Sequence, residues 1–385
     1  MTLPLALYVH VPWCIRKCPY CDFNSHALQG EIPANDYIEA LVRDLEADLA
    51  TFEEQREIVS VFFGGGTPSL LPAAAIGNFI ARARRAIAFS PHAEITLEAN
   101  PGTVREGAVD FSGLLKSGVN RLSLGVQSFD DAHLGALGRI HSAGEAMRAF
   151  ELARSEGFDN INLDLMHGLP GQLPENARAD LRAAIDLRPE HISWYQLTIE
   201  PNTVFHKRPP ALPDEDILDE IETTGFEMLA DAGFHRYEIS AFARQGRMAR
   251  HNLNYWQFGD YLGVGAGAHG KITRQGKVLR TAKTRMPEDY LRHCGRRIEP
   301  VPAGELATEY LMNALRLTSP FSLSTFERRT GLPATQLQPF LARAVDKGLL
   351  AVSGSEVGTT PLGLKFLNSL LALAMDESVI ATSSD

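Results

Sequence analysis

Short runs of β-branched and aromatic residues alternate with longer amphipathic stretches through the first half of the chain. The runs Leu7–Val11, Ile58–Phe63, Ile95–Glu98, Arg121–Val126, Ile161–Met166 and His191–Leu197 predict strands. The stretches between them predict helices, most clearly at Asn35–Phe52, Ala74–Ala88, Ala143–Glu156 and Asn176–Leu187. Strand–helix alternation gives parallel strands joined by right-handed crossovers. Six such units predict an α/β fold, a curved sheet or incomplete (β/α)6 TIM-like barrel. From Pro209 to about Arg297 the pattern is less regular, with a helix around Glu215–Ala232 and a glycine-rich loop over Gly263–Gly270. Beyond Pro300, Leu306–Leu317, Ser324–Arg329 and Ala334–Lys347 read as helices, followed by a hairpin across Leu349–Thr360 and a last helix from Gly363. Three helices and a hairpin make a C-terminal, mostly helical, winged-helix-like region. The expected division is a partial barrel over 1–208, a barrel extension over 209–299 and the winged-helix-like domain over 300–385, with a frayed polar tail from Asp376.

The unusual residues fall at or just after the C-terminal ends of the predicted strands. Gly64-Gly-Gly-Thr-Pro-Ser69 follows the second strand, Glu98-Ala-Asn-Pro101 the third and Gln127-Ser-Phe-Asp130 the fourth. Asp164 and His167-Gly-Leu-Pro-Gly-Gln172 lie at the end of the fifth, and Glu200-Pro-Asn-Thr203 follows the sixth. In α/β barrels that face carries the active site. Three glycines in a row allow close backbone approach, and their N–H groups can point at an anion. No Walker-type nucleotide loop is present. Glu98, Gln127, Arg139 and Asp164 around one mouth suit a zwitterionic, hydroxyl-rich ligand: Arg139 for a carboxylate, Asp164 and Gln127 for ribose hydroxyls, Glu98 for an ammonium.

Cys14, Cys18 and Cys21 form a C-x3-C-x2-C run in the loop after the first strand. Three is an odd number for disulfides, and the one other cysteine, Cys294, is far away and reads as a buried thiol. Three thiolates leave one iron of a cubane cluster without a protein ligand, a position where a small molecule can bind. The alternative is a Cys3His zinc site completed by His26.

Composition changes the picture only by exclusion. A 44% hydrophobic and 22% charged chain is ordinary for a globular protein. The net charge of −10 argues against a nucleic-acid surface despite the winged-helix pattern. The start Met-Thr-Leu-Pro-Leu-Ala has no basic n-region, so a secretory signal is not expected and clustered free cysteines point to the cytoplasm.

The cysteine spacing, Gly-Gly-Gly-Thr-Pro, Glu-Ala-Asn-Pro and Gly-Val-Gln-Ser-Phe resemble the radical S-adenosylmethionine (SAM) superfamily. More narrowly they resemble its subgroup of oxygen-independent coproporphyrinogen III oxidases and related haem chaperones. The resemblance covers nearly the whole chain. It implies a [4Fe–4S] cluster on Cys14, Cys18 and Cys21, with SAM on the fourth iron. It also implies SAM contacts at Tyr8, Gly65, Gly66, Thr67, Glu98, Gln127, Arg139 and Asp164, and an electron donor of flavodoxin or ferredoxin type. The oxidases carry a further cysteine two places after the third, where this chain has Phe23, and a longer segment before the first strand. Both departures favour the chaperone side. So does His251-Asn-Leu-Asn-Tyr-Trp256, which matches a His-Asn-x-x-Tyr-Trp signature associated with haem binding: His251 as ligand, with Asn252, Tyr255 and Trp256 beside it. His167, His206 and His269 are lesser ligand candidates. The expected function is to bind haem and transfer it to an acceptor apo-haem protein, as a monomer or homodimer. The alternative is a coproporphyrinogen III oxidase or other radical SAM oxidoreductase.

Overall fold

The computed structural model describes residues 3–104 and 109–376. The tail expected to fray beyond Asp376 lies outside the described residues.

Six parallel strands follow the expected order: β1 Leu5–Val11, β2 Ile58–Gly65, β3 Phe89–Ala99, β4 Arg121–Gln127, β5 Ile161–His167 and β6 His191–Gln196. Alternation decides which way each side chain faces. Val61 and Phe63, Ile95 and Leu97, Leu122 and Leu124, Leu163 and Leu165, and Ile192 and Trp194 join the main core with the covering helices. In the helix Ala34–Phe52 the core residues Ile38, Leu41, Val42, Leu45 and Phe52 recur at helical spacing and form its buried stripe. The intervening strand positions face inward and are largely polar. Asn162 Nδ2 donates to Ser123 Oγ at 2.7 Å and to Asp164 Oδ1 at 2.8 Å, and Asn162 Oδ1 lies 2.6 Å from His191 Nδ1. The barrel is thus lined with hydrogen-bonding groups, and its apolar core lies outside it.

The stretch after Pro209, irregular in sequence, holds the expected helix, at Glu215–Asp231, and six strands that extend the sheet. Asp260–Val264 lies parallel beside β1, and the antiparallel strands His269–Arg274, Lys277–Lys283 and Arg296–Pro300 extend that edge. Ala241–Ala243 and His235–Glu238 extend the other edge beyond β6. The sheet remains an open, incomplete barrel. Between the two extensions lies the seven-residue helix Arg250–Trp256, which carries the His251 segment across the barrel. The glycine-rich loop is a packing necessity: a Cβ on Gly263 would lie 1.9 Å from the carbonyl oxygen of His269.

The C-terminal region has helices Ala303–Ala314, Leu323–Thr330 and Gln338–Asp346, and a small sheet of Phe321–Ser322, Glu356–Thr359 and Leu350–Ser353. The last helix is broken at Phe366 into Pro361–Lys365 and Leu367–Met375. The core of this region includes Phe258 and Val278, so it packs directly behind the His251 helix. Trp256 is covered from the same side by the Arg316 guanidinium, 4.4 Å from its ring.

Candidate functional site: two adjoining cavities

The cysteine loop leaves the end of β1 and is tied back in two ways. Trp13–Cys14 pairs with His26–Ala27 in a two-stranded parallel ladder, and Cys21 N–H donates to Cys18 O at 3.2 Å. The ends of β1 and β2 anchor it from below. Gly66 N–H donates to Val11 O and Thr67 N–H to Trp13 O, both at 2.7 Å, while Gly65 N–H donates to Glu98 Oε2 at 3.2 Å. These donors are spent within the protein, which corrects the expectation that they point at an anion. The glycines serve close approach: a Cβ on Gly66 would meet the Trp13 carbonyl oxygen at 2.5 Å, and Gly65 has φ +109°.

Cys14, Cys18 and Cys21 are all half-buried and face a cavity of about 300 Å³. Gly65, Gly66, Thr67, Glu98, Gln127, Arg139 and Asp164 line the same cavity, so seven of the eight residues implied for SAM converge there. Tyr8 does not; it lines the larger neighbouring cavity, with its hydroxyl 2.9 Å from His10 Nδ1. Arg139 donates to Gly125 O at 2.7 Å and reaches Cys18 Sγ at 3.6 Å, and its Nε is buried without a partner. Gln127 has φ 72°, and its Oε1 accepts from the Tyr195 hydroxyl at 2.8 Å. Tyr195, absent from the sequence-based set, holds that amide. Its signal was an aromatic at an inward position of β6.

Cavity space leaves Glu98 partly exposed, yet burial among protein atoms, then the negative charge of Asp164, raise its carboxyl pKa to about 8. Burial likewise raises that of Asp164, against hydrogen bonds from Ser123, Asn162 and Ser193. Two carboxyls without an ion-pair partner among the described residues, in one enclosed space, suit a ligand bearing positive charge, and SAM, with its sulfonium and ammonium, fits that requirement. Burial raises the thiol pKa values of Cys14 and Cys21, so loading a metal displaces protons. Among the described residues no three His, Cys, Asp or Glu side chains converge tightly enough for a single metal ion. His26, the fourth ligand of the zinc alternative, lines a different cavity from the three cysteines, and three thiols without a fourth protein ligand suit a cluster with one open iron.

The raised Glu98 pKa gives a stability prediction. The folded state holds this proton more tightly than the unfolded chain, so the ligand-free protein loses stability as pH rises from about 4.5 towards 8. Replacing Glu98 by Gln removes that loss. The variant should exceed the parent by on the order of 3 kcal/mol at pH 9 and by much less at pH 5.5, in denaturant melts. An equal difference at both pH values contradicts a buried, protonated Glu98.

The second cavity, about 630 Å³, adjoins the first through a wall of Phe23, Gly65 and Glu98. His251, Asn252, Tyr255 and Trp256 all line it, together with Tyr8, His10 and Phe62. His251 is 5% exposed and stacks on Phe62 at 4.9 Å and Tyr8 at 6.2 Å. Its Nδ1 lies 3.3 Å from Ser60 Oγ; its Nε2 has no hydrogen bond among the described residues. Burial, then the charge of Arg121, lower its pKa to about 3, so the ring is neutral and keeps a lone pair for a metal. Glu94 receives the N–H groups of Arg250 at 3.1 Å and His251 at 3.2 Å, fixing the start of the helix. Tyr255 stacks on Tyr261 at 4.2 Å. An aromatic cleft with a neutral imidazole fits a flat metallated macrocycle.

The lesser histidines separate clearly. His269 lines this cavity; His206 is exposed on a short helix. His167 is buried against Trp194 at 4.4 Å, away from both cavities. Cys294 is only partly buried, with its thiol 3.5 Å from the carbonyls of Ala40 and Tyr290. Ser60, His10 and Glu94 were not singled out in the sequence. Their signal was a polar residue breaking an apolar strand at an inward position.

An open barrel that brings three cysteines and two carboxyl groups to one cavity defines a radical SAM protein. Residues 8–184 match the Radical SAM superfamily profile, and residues 301–366 match the HemN C-terminal domain. Heme chaperone HemW of Escherichia coli is 49% identical over 378 residues, covering 97% of this chain and 99% of that protein. Its Haemophilus influenzae counterpart is 48% identical, covering 97% and 98%. Coproporphyrinogen III oxidase (HemN) from Escherichia coli shares the fold, with a TM-score of 0.79 at 22% identity over 97% of this chain and 90% of that one. The chain belongs to the HemW family of the radical SAM superfamily.

Proposed function

We propose that this protein is a haem chaperone that binds haem in the 630 Å³ cavity against His251–Trp256 and passes it to an acceptor apo-haem protein. Cys14, Cys18 and Cys21 carry a [4Fe–4S] cluster; Glu98, Gln127, Arg139 and Asp164 hold SAM beside it. The observation that carries the reading is the convergence of His251, Asn252, Tyr255 and Trp256 on one cavity that shares a wall with the cysteine cavity. When bound, a cluster of this kind supplies an electron to the adjacent sulfonium. The chain's own residues bind and orient. Glu98 and Asp164 face a cationic ligand, Arg139 stays beside Cys18, and Tyr8 and Phe62 give the larger cavity an aromatic wall. A flavodoxin- or ferredoxin-type donor supplies the electron, and the reduced thiols suit a cytoplasmic setting. Among the described residues no helix is long and apolar enough to cross a membrane.

The test is a pair of assays on anaerobically reconstituted protein with SAM and reductant. Haem should bind in stoichiometric amount and move to an apo-haem protein, while coproporphyrinogen III should remain unconverted. Robust decarboxylation of the porphyrinogen, with no haem binding above a nonspecific control, restores the oxidase reading.

A further inference from the structure

The larger cavity has two chemically different ends. Deep inside, the rings of Tyr8, Phe62, His251 and Tyr255 make an aromatic wall. At the rim stand Arg285 and His269, both exposed, with Asp22 also on the lining. Arg285 makes no ion pair among the described residues, although a guanidinium is always charged and presents a planar fork of donors. Its backbone is nonetheless tied down. Asn24 Nδ2 donates to the Arg285 carbonyl and to the Ala266 carbonyl, both at 2.9 Å, which ties the rim to the end of the cysteine loop. Gly267 leaves room for that side chain: a Cβ there would lie 2.2 Å from Asn24 Nδ2. The guanidinium stands near His269, whose pKa is lowered by burial and next by Arg285; Asp22 lines the same cavity but makes no ion pair with Arg285.

An aromatic interior with an unpaired cation held at its mouth calls for a ligand with a flat apolar body and an anionic edge. We infer that Arg285 anchors a carboxylate on the edge of the bound tetrapyrrole, so that the cavity selects macrocycles bearing free acid groups. This rests on the haem reading of the cavity and goes beyond it by assigning the residue that recognises the acid side chains and sets which edge points outward. The ring then lies against the aromatic wall and the acid edge faces solvent. That orientation leaves the acid groups accessible to an incoming acceptor.

The experiment titrates the full chain with haemin and with haemin dimethyl ester, whose two acids are blocked, following absorbance. The parent should bind the free acid about tenfold more tightly than the ester, the scale of one charge-assisted carboxylate contact. Arg285→Gln should weaken haemin binding by about tenfold and leave the ester unchanged, abolishing the preference; Arg285→Lys should keep part of it. Because Arg285 is exposed, these variants are expected to fold, and circular dichroism checks that. A parent that does not discriminate, or an Arg285→Gln protein that discriminates as the parent does, overturns the assignment while leaving the haem reading intact. Failure of the parent to bind either compound instead removes the haem reading itself, and the assignment with it.

Discussion

Anaerobic reconstitution of Cys14→Ala, Cys18→Ala or Cys21→Ala with iron and sulfide should leave almost no bound cluster, against full loading of the parent. Each thiolate has no substitute among its neighbours. Ser25 Oγ, 3.7 Å from Cys21 Sγ, and Thr67 are poor iron ligands, and Arg139 near Cys18 is a cation. The fold should survive, because all three cysteines sit in a half-buried loop outside the barrel strands. Loading of the parent should also improve from pH 6.5 to pH 8, since burial holds the thiols of Cys14 and Cys21 protonated and iron must displace those protons. Iron and sulfide analysis, visible absorbance of the bound cluster and circular dichroism are the measurements. A single-cysteine variant that retains the parent's iron content and spectrum would remove that cysteine from the ligand set.

The second large effect is expected at His251. Its replacement by Ala should shift the haem absorption spectrum and raise the dissociation constant by at least about tenfold, because a neutral imidazole with a free Nε2 is lost from the cavity wall. Removing a ring packed on Phe62 and Tyr8 also leaves a void, and a stability loss on the order of 2–4 kcal/mol accompanies it. His251→Leu restores much of that packing without a ligand atom. The spectral change should persist in His251→Leu while most of the stability returns. Tyr255→Phe keeps the ring against Tyr261 and should leave the spectrum close to that of the parent. An unaltered haem spectrum in both His251 variants would place the iron ligand elsewhere, with His269 and His10 on the same cavity as the candidates.

The electrostatics of the two cavities differ for a physical reason that bears on both experiments. In the smaller one, charged side chains of both signs face an enclosed polar space, and burial raises the pKa values of its two carboxyls. In the larger one the titratable groups near the floor, His10 and His251, are pushed towards neutrality by burial. The shared wall of Phe23, Gly65 and Glu98 brings these environments together without mixing them.

What the sequence by itself determined is whatever depends on neighbours along the chain. The six strand–helix units came from periodicity, and the strands appear at or around the expected positions, with β3 starting earlier, at Phe89. The three-cysteine loop came from spacing, and the wing and its helices from local pattern. Placing Glu98, Gln127 and Asp164 at one mouth followed from a single rule about strand ends, which holds because parallel strands all point their C-terminal ends the same way. The tertiary structure decided everything that rests on distant pairing. Asp260–Val264 joins β1 across about 250 residues, and no local periodicity encodes that partnership. It carries a seven-residue helix, too short to announce itself as amphipathic, across the barrel and puts His251 against Tyr8 and Phe62. The same pairing moves Tyr8 into the larger cavity. The fate of the glycine N–H groups was also a matter of tertiary contact: three consecutive glycines permit either an anion nest or close packing, and here Gly66 N–H meets the Val11 carbonyl and Gly65 N–H the Glu98 carboxyl. Local sequence sets which conformations a segment can adopt; which hydrogen-bond partner it then meets is set by the chain that folds back upon it.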